Sequence, residues 1–139
     1  MKQLHLTAAC LLFFCLTARA NPDEIWPLIQ NNEYTKLTSF LTSDKILIEI
    51  QTSTMRIMKS FYSARQVYYL LEKFNPLFKT EKLESSAQQG NGDTLLAQAE
   101  FSVLNTKKNM NCRLNFQLNL IRSEKGWVIN QISIIEREQ

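Results

Sequence analysis

The sequence has little of the chemistry on which enzymes most often rely. It holds one histidine and three cysteines in 139 residues, and His5, Cys10 and Cys15 all fall within its opening stretch. That stretch reads as an export signal. Lys2 supplies a positive start, residues 6–16 form an apolar run too short to span a bilayer, and Ala18-Arg19-Ala20 puts small residues where signal peptidase reads them. Cleavage is expected after Ala20, leaving one domain over residues 21–139 that keeps Cys112 and no histidine. A lipoprotein signal fits worse, because Phe13-Phe14 before Cys15 is too bulky for a lipobox and Cys10 follows too little apolar chain. A lone cysteine closes no internal disulfide, so stability has to come from packing. With neither histidine nor paired cysteine, only scattered carboxylates remain, so no metal and no cofactor is expected.

Charge of one sign is also scarce. Sixteen basic residues face thirteen acidic ones, and Lys2 and Arg19 would leave with the signal. The near-neutral remainder offers no electrostatic case for nucleic acid or an anionic membrane, and Lys107-Lys108 is too short a run to change that. Long apolar runs, repeats and low-complexity tracts are missing after residue 20. With the signal-like opening stretch, these absences lead to the expectation of an exported protein of periplasm or medium with no membrane attachment after cleavage.

What is present is a period-two pattern over residues 94–137. Leu95, Ala97, Ala99, Phe101 and Val103 alternate with Leu96, Gln98, Glu100, Ser102 and Leu104. After a turn at residues 106–109, Cys112, Leu114, Phe116, Leu118 and Leu120 alternate with Arg113, Asn115, Gln117, Asn119 and Ile121. Pairing across that turn sets Val103 against Cys112, Phe101 against Leu114, Ala99 against Phe116 and Ala97 against Leu118, so both apolar rows share one face. The last strand is out of phase: a bulge near Asn130-Gln131 is needed to bring Trp127, Ile129, Ile132 and Ile134 to one side.

The N-terminal half is more helical. Asn21-Pro22-Asp23-Glu24 suits a helix start, Pro27 predicts a short or bent helix, and Asn31-Asn32 ends it. Tyr34, Leu37 and Leu41 form a second helical stripe. Ile46, Ile48 and Ile50 mark a strand, with Met55, Ile57, Lys59 and Phe61 as a short return strand. Ser63-x-x-Gln66 is a capping box, with Tyr62 and Val67 placed as a staple, opening a helix whose stripe is Val67, Leu70, Leu71 and Phe74 and which Asn75-Pro76 stops. Residues 77–87 read as a charged, bulged edge strand, and residues 89–93 as a turn into the meander. The expected fold is α+β, with three N-terminal-half helices on one face of a curved antiparallel sheet.

The stretch from Leu37 through Leu41 into Ile46-Leu47-Ile48, the Tyr62-Ser63-Ala64-x-Gln66 helix start, Gly126-Trp127-Val128-Ile129 and the closing 132–136 strand together resemble the nuclear transport factor 2-like, or ketosteroid isomerase-like, superfamily. Within it the nearest likeness is to small exported bacterial proteins of unknown function. The resemblance implies a cone-shaped domain with a pocket between sheet and helices, often dimeric through the outer sheet face. It does not choose among enzyme, ligand binder and scaffold.

Enzymes of that superfamily generally need an Asp-His pair, an Asp-Arg-Asn set, or an Asp base with a Tyr and a protonated Asp. The first is excluded by the missing histidine. For the others an acid must face the pocket, and residues 95, 97, 99, 101, 114, 116, 118 and 120 include none. Glu49 and Glu100 fall on the opposite face and read as solvated, and Cys112 reads as a buried inert thiol. The expectation is therefore a non-catalytic domain binding an apolar small ligand or a protein partner. Trp26, Tyr62, Tyr69, Ala97, Ala99, Phe101 and Phe116 are the pocket candidates, although the small-against-large Ala–Phe pairing is more readily a way of filling a core, since interiors normally close such gaps. Gln98, Asn115, Gln117 and Asn119 form an uncharged outer stripe that is a candidate homodimer surface or plain solvent-facing sheet. Two rivals remain. An isomerase or dehydratase would need Asp44, Glu72 or Glu84 to point inward beside a Tyr, and a cystatin-like protease inhibitor would need a Gln-x-Val-x-Gly loop, which is missing.

Overall fold

A computed structural model of the chain describes residues 21–124 and 126–137; the expected export signal lies outside the described residues. The alternating stretch forms two long strands, β4 (Thr94–Asn105) and β5 (Met110–Ser123), in the register that the turn dictates. Val103 pairs with Cys112, Phe101 with Leu114, Ala99 with Phe116 and Ala97 with Leu118. Those side chains are all buried, while Gln98, Asn115, Gln117 and Asn119 between them are half-buried on the other face. The period of two thus commits one face of the sheet to a core.

The last strand, spanning Gly126–Arg137, pairs antiparallel with β5 through one two-against-one step. Asn119 pairs with Gln131 and Leu120 with Ile129, so Asn130 is the extra residue. This bulge restores the phase: Ile129, Ile132 and Ile134 are all buried. Trp127, expected on the same row, is half-buried beneath the Arg122 guanidinium, which lies 4.9 Å from its ring.

In chain order the other elements are α1 (Pro22–Gln30), a 3-10 helix (Tyr34–Phe40), β1 (Ile46–Gln51), β2 (Arg56–Tyr62), α2 (Ala64–Phe74) and β3 (Phe78–Asn91), with Gly126–Arg137 as β6. The Asn21 side chain caps α1, and Pro27 is tolerated within its nine residues. The second helical stripe tightens into a 3-10 turn. The Thr38 and Ser39 hydroxyls donate to carbonyls three residues back, on Thr35 and Lys36, which favours the tighter winding. Both halves of the Ser63–Gln66 capping box form, and Val67, Leu71 and Phe74 of α2 are buried. Each such side chain contributes about 1.5–3 kcal/mol of burial.

The sheet is six-stranded, curved and unclosed, in the order β2-β1-β6-β5-β4-β3. Four of its pairings are antiparallel as expected; β1 and β6 run parallel. That long-range contact leaves no mark in local periodicity. β3 runs on to Asn91, so the turn expected over residues 89–93 contracts to Gly92-Asp93, with Gly92 at φ +63°. Both edges are guarded. The β3–β4 pairing has two register shifts, and β2 has an extra residue at Met58-Lys59 opposite Glu49. Helices and sheet share one aromatic-rich core, in which Tyr34, Phe74, Phe78, Phe101 and Phe116 are fully enclosed. No described helix is long and apolar enough to cross a membrane.

Candidate functional site

The centre of the concave face is filled. Trp26 meets Phe101 edge-on at 6.2 Å, Phe101 meets Phe116 at 5.6 Å, and Tyr34 stacks on Phe116 at 6.2 Å. Of the pocket candidates, Trp26, Ala97, Ala99, Phe101 and Phe116 are therefore brought together, but as interior packing. The Ala–Phe pairing leaves room for aromatic rings from the helices. Tyr62 is half-buried, and Tyr69 stands half exposed on α2 against Tyr68, away from the other five. Tyr34 donates or accepts a 2.6 Å hydrogen bond with Thr80, and burial pushes its phenol up to about 12 against the lowering effect of that bond.

A cavity of about 820 Å³ opens instead at the rim, where the β1–β2 turn, the β4–β5 turn and the end of β6 converge. None of the pocket candidates lines it. Its lining includes the apolar Ile50, Ile57, Met58 and Met110 and the polar Ser53, Asn105 and Glu136. Arg56, which opens β2, and Lys108, in the β4–β5 turn, also line it. Each turn is locked by its own sequence. Thr52 bonds to Met55 through both its backbone and its hydroxyl, at 3.0 and 2.8 Å. The Asn105 amide oxygen accepts from the backbone N–H groups of Lys107 and Lys108, at 3.1 Å each. The Asn105 amide then donates to the Ser53 hydroxyl at 3.2 Å, tying one turn to the other.

Glu136 closes this arrangement. Its carboxylate accepts from the Ser53 N–H at 2.8 Å and from the Ser53 hydroxyl at 3.0 Å. Partial burial pushes its pKa up, but the bonds from Ser53, Cys112 and Asn105 outweigh that and hold it below the usual carboxylate range. Cys112, in the same lining, moves the other way: burial and the neighbouring Glu136 charge push the thiol up to about 12. At neutral pH the carboxylate is charged and the thiol protonated.

This corrects the expectation that no carboxylate faces inward. It holds for β4 and β5 and fails on β6, where Glu136 continues the buried row of Ile132 and Ile134 and pairs with Leu114. The signal was available, since Glu136 lies two residues past Ile134 on a strand of period two. Ser53, Asn105, Arg56 and Lys108 carried no such signal, because hairpin turns far apart in sequence bring them together. The other acids lie as expected or outside: Asp44, Glu72 and Glu84 are exposed, and Glu100 on the outer face bonds Arg113 at 3.1 Å. Among the described residues no cluster of potential metal ligands forms.

No family model matches the sequence, and no curated protein matches it. Solved structures do match. A DUF4783 family protein from Bacteroides uniformis superposes with a TM-score of 0.65 at 17% identity, covering 85% of this chain and 98% of that one. An NTF2-like protein with a cystatin-like fold from Novosphingobium aromaticivorans gives 0.60 at 14% identity, covering 94% and 88%. An NTF2-like protein of unknown function from Pseudomonas putida gives 0.61 at 10%, covering 78% and 76%. At such identities the likeness is one of fold: the chain has the nuclear transport factor 2-like, cystatin-like α+β fold that its residues resembled.

Proposed function

We propose that this nuclear transport factor 2-like domain is an exported, non-catalytic binding domain that holds a small amphipathic ligand in the rim cavity. The observation that carries the reading is the cavity itself. It is roomy, its lining combines Ile50, Ile57, Met58 and Met110 with polar groups, and two locked turns border it. Met58 is 86% exposed and Met110 62%, an unusual outlay of large apolar side chains unless something covers them. The non-catalytic part rests on the titratable groups. General acid–base work needs a group poised near neutrality, whereas Glu136 is shifted down and Cys112 up, each away from that range. Export rests on the pattern of residues 1–20.

Native mass spectrometry after gentle purification tests the binding. A retained small molecule is expected in the wild type and lost in Met58→Glu, a change at an exposed position that leaves the fold intact. Wild type and variant both emerging empty would count against the reading. The mass of the mature chain from the exported fraction checks cleavage after Ala20.

A second reading, a homodimer through the outer sheet face, is favoured by one observation. Gln98 pairs across to Gln117, and the Asn119 amide donates to Asn130 at 2.8 Å, giving an uncharged half-buried band beside Leu96, which is 38% exposed.

A further inference from the structure

We propose that the ligand of the rim cavity is an amphipathic anion: one carboxylate or phosphate head on an apolar chain. The inference rests on the binding reading above and adds the sign of the head group. Among the described residues, two cations, Arg56 and Lys108, line the cavity with one carboxylate, Glu136. Among the described residues neither cation is paired with an acid. Glu136, in contrast, is already engaged by the Ser53 N–H and hydroxyl. Its charge is solvated from within by neutral donors, and few of its lone pairs are left for a ligand. Among the described lining residues the unspent electrostatic capacity is therefore positive.

The placement of the cations suits a head group. Arg56 follows the β1–β2 turn and Lys108 sits in the β4–β5 turn, so they approach the cavity from two separate hairpins that Asn105 and Ser53 join. An arginine and a lysine brought from two sides can share one compact anion, the guanidinium by its fork and the ammonium as a point charge. The rest of the lining suits a chain. Met58 and Met110 are unbranched, adaptable side chains that cover apolar surface of varying shape, and Ile50 and Ile57 add to that apolar lining. The extra residue in β2 falls at Met58-Lys59, and a bulge there re-aims the side chain at the edge of the cavity.

Calorimetric titration of the purified protein with monomeric amphiphiles of one chain length tests this. Dodecanoate and dodecyl phosphate are expected to bind with a stoichiometry near one, at least about tenfold more tightly than dodecyltrimethylammonium, a difference of about 1.4 kcal/mol. The double variant Arg56→Gln/Lys108→Gln, altered only at exposed positions, should lose that preference while keeping its circular dichroism spectrum. Met58→Glu should lose all three ligands. Binding of one anion without the other sustains the proposal and names the head. Equal binding of anion and cation overturns the proposal and leaves the binding reading standing; failure of every amphiphile, together with an empty protein in native mass spectrometry, overturns both. Co-sedimentation with anionic phospholipid vesicles, without binding of any monomeric amphiphile, would also overturn it by assigning the two cations to a membrane surface.

Discussion

At the scale of single residues, Glu136 has the most to say. Its pKa is lower in the folded chain than the ordinary 4.5, so its stabilising effect is present above the unfolded value and lost as pH falls through the folded one. Glu136→Gln is expected to destabilise the protein at neutral pH by about 1 kcal/mol, a charged-acceptor hydrogen-bond loss discounted for partial exposure. The gap between the urea midpoints of wild type and variant should close as the pH is lowered below the ordinary carboxylate range. A constant gap would mean that Glu136 acts by shape alone. Tyr34 and Thr80 offer a second measurement. Tyr34→Phe leaves the Thr80 hydroxyl short of a partner in a buried site and should cost about 1–2 kcal/mol, whereas Tyr34→Phe/Thr80→Val should cost less than the sum of the single changes. Additive costs in a double-mutant cycle would show that the 2.6 Å bond contributes nothing of its own.

At the scale of elements, the bulge at Asn130 decides whether β6 can serve the core at all. Deleting Asn130 removes the extra residue and leaves Gln131 opposite Asn119 and Ile132 opposite Leu118 in a regular ladder, so Ile132, Ile134 and Glu136 keep their face. Such a chain is expected to keep its cooperative thermal transition, while deleting Ser133 beyond the bulge, which throws either Ile132 or Ile134 out of phase, should lose it. Circular dichroism on heating separates the two outcomes. The helices follow a different logic. The second stripe, Tyr34–Phe40, has the right apolar residues for a helix but too many short hydroxyl side chains, so it winds as a 3-10 segment and still delivers Tyr34 and Leu37 to the core.

For the molecule as a whole, the open question is assembly. The sheet edges are blunted by bulges, by Lys59 and by Lys82, so growth by strand addition is disfavoured and the outer sheet face is the surface left for self-association. If that face pairs two copies, sedimentation velocity should give a concentration-dependent dimer, and Gln117→Glu, placing a charge in the centre of the stripe, should shift it to monomer. A wild type that sediments as monomer throughout would remove the dimer. Placing the ligand at the rim, away from the outer stripe, makes a clear companion expectation: Gln117→Glu should leave amphiphile binding unchanged.

Local periodicity was enough, read along the chain, for the β4–β5 register, the Ser63 capping box, the phase break in β6 and the α+β class. Each is a relation between residues a few positions apart, or across one tight turn, where steric period and hydrogen-bond geometry leave little choice. The site was less legible. Trp26, Phe101 and Phe116 looked like a pocket because the sequence shows which face is apolar but not whether the helices fill it. Ser53, Asn105 and Glu136 are separated by tens of residues, and Arg56 and Lys108 sit beside or within hairpin turns that each look ordinary. Only the parallel docking of β1 beside β6 brings those turns together. Tertiary structure alone decided where the free volume lies, because a void is a property of how faces meet and no single face carries it.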